Sequence, residues 1–514
     1  MFPHNRTDKV PLSLDSLGED VLYLVALAVS NFPGALNAYS RTSHSIRSAC
    51  LGMLFACARA PPAYLTVPAN RDAPPLIIRP LVRQLTYYPA ILEYADFGWE
   101  LDFFPSLRSI KFVAIPRDYC SVPWMAIKTC IEHPNISSLS FLSCVPDMSG
   151  DGPLEATYRS ILTDLSCVPY VWRDVSCRLD RRDVRNEHKL ESDSLAALVA
   201  SMTPLARHLR LPLETAPLGQ MAIHPWLALR ELYLSGRYIT PENLKTLPDM
   251  LSDIPNRLPS LTSLTILASP LNGYGRTPIL GRLSSQVHHP KLRSLTISYP
   301  DPDDAICALQ APNLTHLSLR DWPRYYYPLH FPDALTADIA WPILSSSECL
   351  SILKSMGTNG RLEQLEVVYQ ADSAEEDLLL HIATAHPSLW SIELHRYRSE
   401  DDDSPVPYEQ IALRLASVKR LRRLRLNLDF PETTGPLCDS SEAFYRWTTL
   451  FLQVGTRMMA VLHQSCPMLV ALEMLKQTYN SALWARFHPS GKTSLYEGGL
   501  ERDGEWPPFT PPSI

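Results

Sequence analysis

The side chains best able to hold a metal or move a proton here are the histidines, cysteines and clustered acids, and their spacing decides between chemistries. Several stand directly before proline, and four of these lead into the strand pattern described below: His133-Pro134, His289-Pro290, His386-Pro387 and Cys466-Pro467. A zinc site would use such ligands, but at short local intervals, and the sequence has no Cys-x-x-Cys pair, no His-Glu-x-x-His and no other Cys/His zinc spacing. The recurrence of the pair predicts instead a structural junction, because proline cannot continue a helix and pushes its predecessor towards extended backbone. There is no Gly-x-Ser-x-Gly elbow, and Gly273-Tyr274-Gly275-Arg276-Thr277-Pro278 lacks the further glycines and the lysine of a phosphate-binding loop. No catalytic residue, metal site or cofactor is therefore expected, and the chain is expected not to be an enzyme.

Composition narrows the classes further. The chain has 514 residues, 46% of them hydrophobic, which is enough for a large buried core. Its formal net charge is -7, with both signs mixed along the chain, so the broad basic field of a nucleic-acid binder is missing and no nucleic-acid partner is expected. The 11 cysteines are scattered and odd in number, which reads as reduced thiols used as small core residues. His4, Arg6, Asp8 and Lys9, followed by Asp15, Glu19 and Asp20, do not make a signal peptide. The early apolar run from Val21 to Val29 falls well short of the roughly 20 residues of a membrane span. A cytoplasmic or nuclear address with no membrane partner is the expectation.

The elements that position everything else come from one recurring pattern: apolar, two variable positions, apolar, one variable position, apolar. It reads Leu107-Arg108-Ser109-Ile110-Lys111-Phe112, then Ile136-Ser137-Ser138-Leu139-Ser140-Phe141, and later Leu229-Arg230-Glu231-Leu232-Tyr233-Leu234. Leu261-Thr262-Ser263-Leu264-Thr265-Ile266, Leu292-Arg293-Ser294-Leu295-Thr296-Ile297 and Leu314-Thr315-His316-Leu317-Ser318-Leu319 continue it, with further anchors at Leu362, Leu389, Leu421 and Leu469. Weaker copies lie at Leu81–Leu85 and near Leu209 and Leu211. In an extended strand alternate side chains share a face, so Leu264 and Ile266 point into a core while Ser263, Thr265 and Leu267 point outward. One unit cannot bury its apolar set alone, and neighbours must stack. Between the strands, Ser194 to Met202, Ser347 to Met356 and Glu376 to Ala385 carry apolar residues at helical spacing.

About ten such units in series resemble the leucine-rich-repeat family, in its long, helix-containing form. The resemblance implies an α/β solenoid over residues 76–480 with a parallel sheet on its concave side, followed by a Pro/Gly-rich C-terminal tail over 481–514.

Residues 12–58 read differently, as three short amphipathic helices with a break at Asn31-Phe32-Pro33-Gly34. Leu14-x-x-Leu17-Gly18-Glu19-Asp20-Val21-Leu22, Pro33-Gly34-Ala35-Leu36 through Ser43, and Ile46-Arg47 with Leu51-Gly52-Met53-Leu54-Phe55 together resemble the F-box, which characteristically precedes leucine-rich repeats. The resemblance implies a three-helix module that docks a Skp-type adaptor, and through it a cullin, using Leu14, Leu17, Val21, Leu22, Pro33 and Leu36. The whole chain would then be the substrate receptor of a ubiquitin ligase and supply proximity only. The alternative is a plain repeat scaffold whose N-terminal helices serve as a cap.

The target surface is expected at outward strand positions, chiefly Tyr233, Arg320, Glu366, Glu393, His395 and Arg425, where the later repeats place more charge than the Ser/Thr-rich earlier ones. A partner bearing both charge signs and a merely solvated sheet are both compatible with that pattern. Tyr325-Tyr326-Tyr327 reads either as an interface anchor or as a cover over the solenoid edge.

Overall fold

The repeats begin with a turn and an anchoring apolar residue, most often leucine, then spend their alternating residues on a strand. In the computed structural model of the chain, that arithmetic is laid out over residues 17–30, 34–59, 75–87, 101–113, 120–142, 144–147, 161–167, 184–237, 251, 254–270, 276, 279–281, 288–322, 324–325, 341–357, 360–399, 404–432, 441–477 and 482–496, which are the residues described. Leu14, Pro33, Tyr326, Tyr327, the acidic stretch 400–403 and the last part of the C-terminal segment lie outside them. The chain divides into two units, Met1–Ser166 and Cys167–Ile514.

The first unit opens with α1 (Glu19–Ser30), α2 (Ala35–Ser40) and α3 (His44–Leu54). Glu19 and Asp20 sit in the first turn of α1, where the helix dipole favours acids. Gly34 precedes α2 at φ 74°, a left-handed conformation that favours glycine, and the Ser43 hydroxyl accepts the Ile46 N–H to start α3. Leu22 and Ala26 of α1 meet Ile46, Ala49 and Cys50 of α3 in a small buried core, with Leu17, Leu36, Tyr39, Met53 and Leu54 packed around it.

Parallel strands follow: β1 (Cys57–Arg59), β2 (Gln84–Tyr87), β3 (Ser109–Val113) and β5 (Ser138–Leu142), each paired with the next. Their inward residues form rows, and Tyr87, Phe112 and Phe141 contact ring to ring with centroids 6.0 and 5.4 Å apart. A second, two-stranded sheet joins β4 (Cys120–Pro123) to β6 (Cys144–Asp147), with α4 (Trp124–Glu132) between them in sequence. β7 (Asp164–Cys167) runs across the division between the units.

The second unit is the leucine-rich-repeat array proper. α5 (Val184–Met202) leads to the parallel ladder β8 (His208–Pro212), β9 (Glu231–Arg237), β10 (Ser263–Ser269), β11 (Ser294–Ser298) and β12 (His316–Arg320). The short β13 (Leu344–Ser345) pairs beside β14 (Gln364–Gln370), and the ladder continues through β15 (Ser391–Tyr397), β16 (Arg423–Asn427) and β17 (Ala471–Gln477). The register sets Leu209, Leu232, Leu264, Leu295, Leu317, Leu365, Ile392, Leu424 and Leu472 in one buried row. At roughly 1.5–3 kcal/mol for each fully buried aliphatic side chain, such rows are what hold the array together. Return helices α6 (Ser346–Ser355), α7 (Glu375–Ala385), α8 (Tyr408–Leu415) and α9 (Ser441–Ser465) close the later repeats.

The array ends differently from the composition-based expectation of a tail. Residues 482–496 form β18 (Ala482–Phe487) and β19 (Thr493–Tyr496), which add to β17 as antiparallel strands. The physical reason is an exposed strand edge after the last repeat, which a hairpin covers. Among the described residues no helix is long and apolar enough to cross a membrane.

Candidate functional site

The proline junctions are structural. The His289 ring is 2% exposed, and its Nε2 lies 3.3 Å from the carbonyl oxygen of Leu258, the residue at the same point of the preceding repeat. The Cys466 thiol likewise contacts the Val418 carbonyl at 3.5 Å. Burial lowers the His289 pKa, as the neutral ring is the form that fits there.

Five of the predicted target residues, Arg320, Glu366, Glu393, His395 and Arg425, are gathered in one cluster. Strand register places Ser318, Glu366, Glu393, Arg425, Glu473 and Arg486 side by side on successive strands. The Ser318 hydroxyl donates to Glu366 at 2.7 Å, and Arg425 donates to Glu393 at 2.7 Å and lies 3.1 Å from Glu473. Arg486 then donates to Glu473 from two nitrogens, at 2.7 and 3.1 Å. Arg320 approaches Glu366 at 3.8 Å, and His395 Nε2 lies 3.0 Å from Glu393.

Above this row sits a segment that follows β12. Arg324 donates to Asp321 at 3.0 Å and to Glu366 at 2.5 Å, and it stands 3.7 Å from Glu393. Asp321, fully buried, also accepts the Tyr325 N–H at 2.7 Å and the Tyr397 hydroxyl at 3.2 Å. The Tyr325 ring meets Tyr397 edge-on at 5.0 Å and Trp341 at 5.7 Å, so the first tyrosine of the triplet folds back over the sheet. On the other side the Arg425 guanidinium lies 3.9 Å from the Trp484 ring centroid, and His395 packs against the same indole.

The consequence is burial. Arg320, His395 and Arg425 point outward from their strands as the alternation requires, but neighbouring side chains cover them, and their side-chain exposures are 8%, 0% and 8%. Leu267, also outward, is fully buried. Burial works to raise the Glu366 pKa, but the Arg324 and Arg320 charges outweigh it and hold the carboxyl at about 2. Glu393 is likewise held well below the usual carboxylate range, because the His395 contact and the Arg425 charge overcome its burial. Both are fixed anions at neutral pH.

Glu366, Glu393 and His395 bring donor atoms within 4.8 Å of one another, a spacing a metal could use. The donor set does not fit one, since both carboxylates are engaged by guanidinium groups whose positive charge opposes an added cation.

Tyr233 is separate. It shares the row but lies beyond Thr265, Thr296 and Ser318, half-buried, with the Arg210 guanidinium 4.3 Å from its ring centroid. Of the predicted adaptor-docking residues described, Leu22 is 2% exposed and belongs to the module's core, while Leu17 and Leu36 pack partly against it. Val21 faces outward at 45% exposure, accompanied by Tyr23, Leu24 and Leu27 at 47%, 62% and 49%. Sequence reasoning missed Asp321, Arg324, Trp484 and Arg486. The only signal for the first two was an acid and a base three residues apart directly after a strand.

No protein-family model matches the sequence, and comparison with curated proteins finds no match. Solved structures to which the chain is similar include a crystal structure of a TLR13–ssRNA13 complex, at 14% identity over 69% of this chain, with a TM-score of 0.31. This chain spans 53% of the TLR13 chain. A second is the leucine-rich repeat-containing protein LegL7 from Legionella pneumophila, at 13% identity over 79% of this chain and 94% of its own, with a TM-score of 0.29. The ladder register and its buried leucine rows define the fold: the described repeats form an α/β leucine-rich-repeat array.

Proposed function

We propose that this chain is a non-catalytic protein-binding scaffold that serves as the substrate receptor of a Skp–cullin–F-box ubiquitin ligase. The observation that carries the reading is the outward face of α1. Val21, Tyr23, Leu24 and Leu27 are apolar, adjacent on the helix surface and 45–62% exposed, while Leu22 and Ala26 satisfy the module's own core. A helix acting only as a cap would turn its apolar face inward; one that docks a partner keeps a second face apolar. The non-catalytic part is supported by chemistry. Burial pushes the Cys307 thiol up to about 12, and it pushes the Cys130 and Cys349 thiols higher, so none is a ready nucleophile. The principal carboxylate cluster is locked in arginine pairs.

The test is affinity capture by the full chain against a Leu24→Glu/Leu27→Glu variant whose fold is checked by circular dichroism. Capture of a Skp-type adaptor and a cullin by the parent but not by the folded variant supports the reading. If neither form captures them, the ligase role falls and a repeat scaffold with a helical cap remains.

A further inference from the structure

The edge of the ladder where strands begin repeats as strictly as its core. The repeats of β15, β16 and β17 enter their strands through a tight turn closed onto the anchoring leucine: Leu389 N–H to His386 O at 3.1 Å, Leu421 N–H to Val418 O at 3.1 Å, and Leu469 N–H to Cys466 O at 3.0 Å. The two turn residues are Pro387-Ser388 before β15 and Pro467-Met468 before β17, and Pro290-Lys291 and Pro312-Asn313 occupy the same place in earlier repeats. Before β16 they are Lys419-Arg420. The same turn closes over the uncharged pairs Pro387-Ser388 and Pro467-Met468, so its geometry does not require these two charges.

Arg422 adds a third charge one position beyond the anchor, on the rung between Trp390 and Val470. All three cations are exposed, and among the described residues none has an ion-pair partner. Arg320, Arg324, Arg425 and Arg486, by contrast, are each tied to a carboxylate. Three neighbouring like charges repel one another, and among the described residues lining their cleft Glu363 alone carries the opposite sign.

These cations open onto a cleft of about 460 Å³ that also takes in Trp390, Glu363 and Met468. The indole is partly exposed, and its N–H donates to Glu363 at 3.4 Å, which fixes the ring and engages the one acid in the wall. Met468 and Val470, 54% and 69% exposed, supply apolar surface on the next rung. The site therefore offers concentrated positive charge beside an oriented aromatic plane and a soft apolar ledge.

From this geometry we infer that the Trp390–Lys419–Arg420–Arg422 cleft binds an acidic linear segment of a partner protein, its anionic groups on the cations and an apolar side chain on the indole. A nucleic-acid strand shares the anionic chemistry but is disfavoured, because it tracks a long basic groove and this chain carries a net charge of -7. Aspartate and glutamate of that segment supply the anion, and phosphoserine is the other source that the probes tell apart. The inference does not rest on adaptor docking, since the assay contains no adaptor.

The experiment is fluorescence anisotropy with the full chain and a labelled peptide of alternating acidic and leucine residues. Parallel probes are the same peptide with phosphoserine for the acids, a neutral peptide with serine for the acids, and a single-stranded DNA oligomer. Saturable binding of the acidic peptide is expected; tighter binding of the phosphoserine peptide would move the anion's source to a phosphorylated segment. Lys419→Glu/Arg420→Glu/Arg422→Glu should weaken that binding at least about tenfold, and raising the salt should weaken it as well. Trp390→Ala should weaken it without changing the salt response, and Arg446→Glu, at an exposed position of α9, should leave it intact. Arg420→Glu alone is the fallback where the triple variant fails to fold. The inference is overturned by no binding of either anionic peptide, by equal binding of the neutral peptide, or by undiminished binding to the charge-reversed chain. Tighter binding of the DNA oligomer, lost in the same variants, would make the cleft a nucleic-acid site instead.

Discussion

Glu366 and Glu393 stand directly opposite one another on neighbouring parallel strands, two carboxylates in register, with Arg324 reaching both at 2.5 and 3.7 Å. Like charges placed so are destabilising on their own. The arrangement survives because Arg324, 7% exposed, sits between them while Arg320 and Arg425 flank the pair. Replacing Arg324 with Met strands two carboxylates together with the buried Asp321, and breaking a buried pair from one side costs about 3–5 kcal/mol. Urea denaturation should show a loss of that order for Arg324→Met. Adding Glu366→Gln to it should recover part of the loss. Equal stability of Arg324→Met and the parent would mean that the row is decorative.

The same pair makes stability depend on acid. Glu366 has a folded pKa of about 2 against an ordinary value of 4.5, so the folded form binds its proton less readily than the unfolded chain. A depressed carboxylate contributes stability that is fully present above the ordinary value and is lost as pH falls through the window from 4.5 towards about 2. Glu393 acts in the same direction. Unfolding free energies measured down this window should fall steeply for the parent. Glu366→Gln should begin lower and fall less, having no proton to take up there. A parallel decline in both proteins would remove Glu366 from the account.

In the N-terminal module, neighbouring leucines should behave oppositely. Leu22, 2% exposed, fills the core against Ile46 and Cys50, so Leu22→Ala should cost about 2–5 kcal/mol where the site cannot collapse. Leu24, 62% exposed, should change stability by no more than about 0.5 kcal/mol on going to Ala. Hydrogen exchange of α1 amides in the full chain reads both: protection drops for Leu22→Ala and holds for Leu24→Ala. Loss of protection in both variants would mean that the outward face of α1 is packed against something.

The legible part of this molecule was the part governed by period. The leucine anchors, the inward rows and the three N-terminal helices follow from spacing alone, because alternation and the helical repeat are local properties. The direction of Arg320, His395 and Arg425 was legible for the same reason. Their burial was not, since it depends on Arg324 and Tyr325 folding back and on Trp484 arriving from a segment whose composition resembled a tail. Leu22 shows the limit at shorter range. Helical spacing marks an apolar residue, but α1 has two apolar faces, and only contact with Ile46 and Cys50 tells which one is inside.

Gly455 tests how tightly the C-terminal strands are bound to the array. It lies in the middle of α9, where glycine is worth about 1 kcal/mol less than alanine in helix propensity, so propensity alone predicts that Gly455→Ala stabilises the protein. The structure predicts the reverse. A Cβ at position 455 would fall 2.2 Å from the Cζ of Phe487, and that ring, 2% exposed and packed 5.8 Å from Phe451, has no room to withdraw. Forcing a methyl group into such packing costs about 1–3 kcal/mol and more where the backbone must shift, which outweighs the gain in propensity. Gly455→Ala should therefore lower the urea midpoint. Combining it with Phe487→Leu, which shortens the opposing side chain, should give a smaller total loss than the two single losses added together. An increase in stability for Gly455→Ala would show that β18 stands farther from α9 than this contact requires, and that the antiparallel end of the sheet is held by its strand pairing with β17 alone.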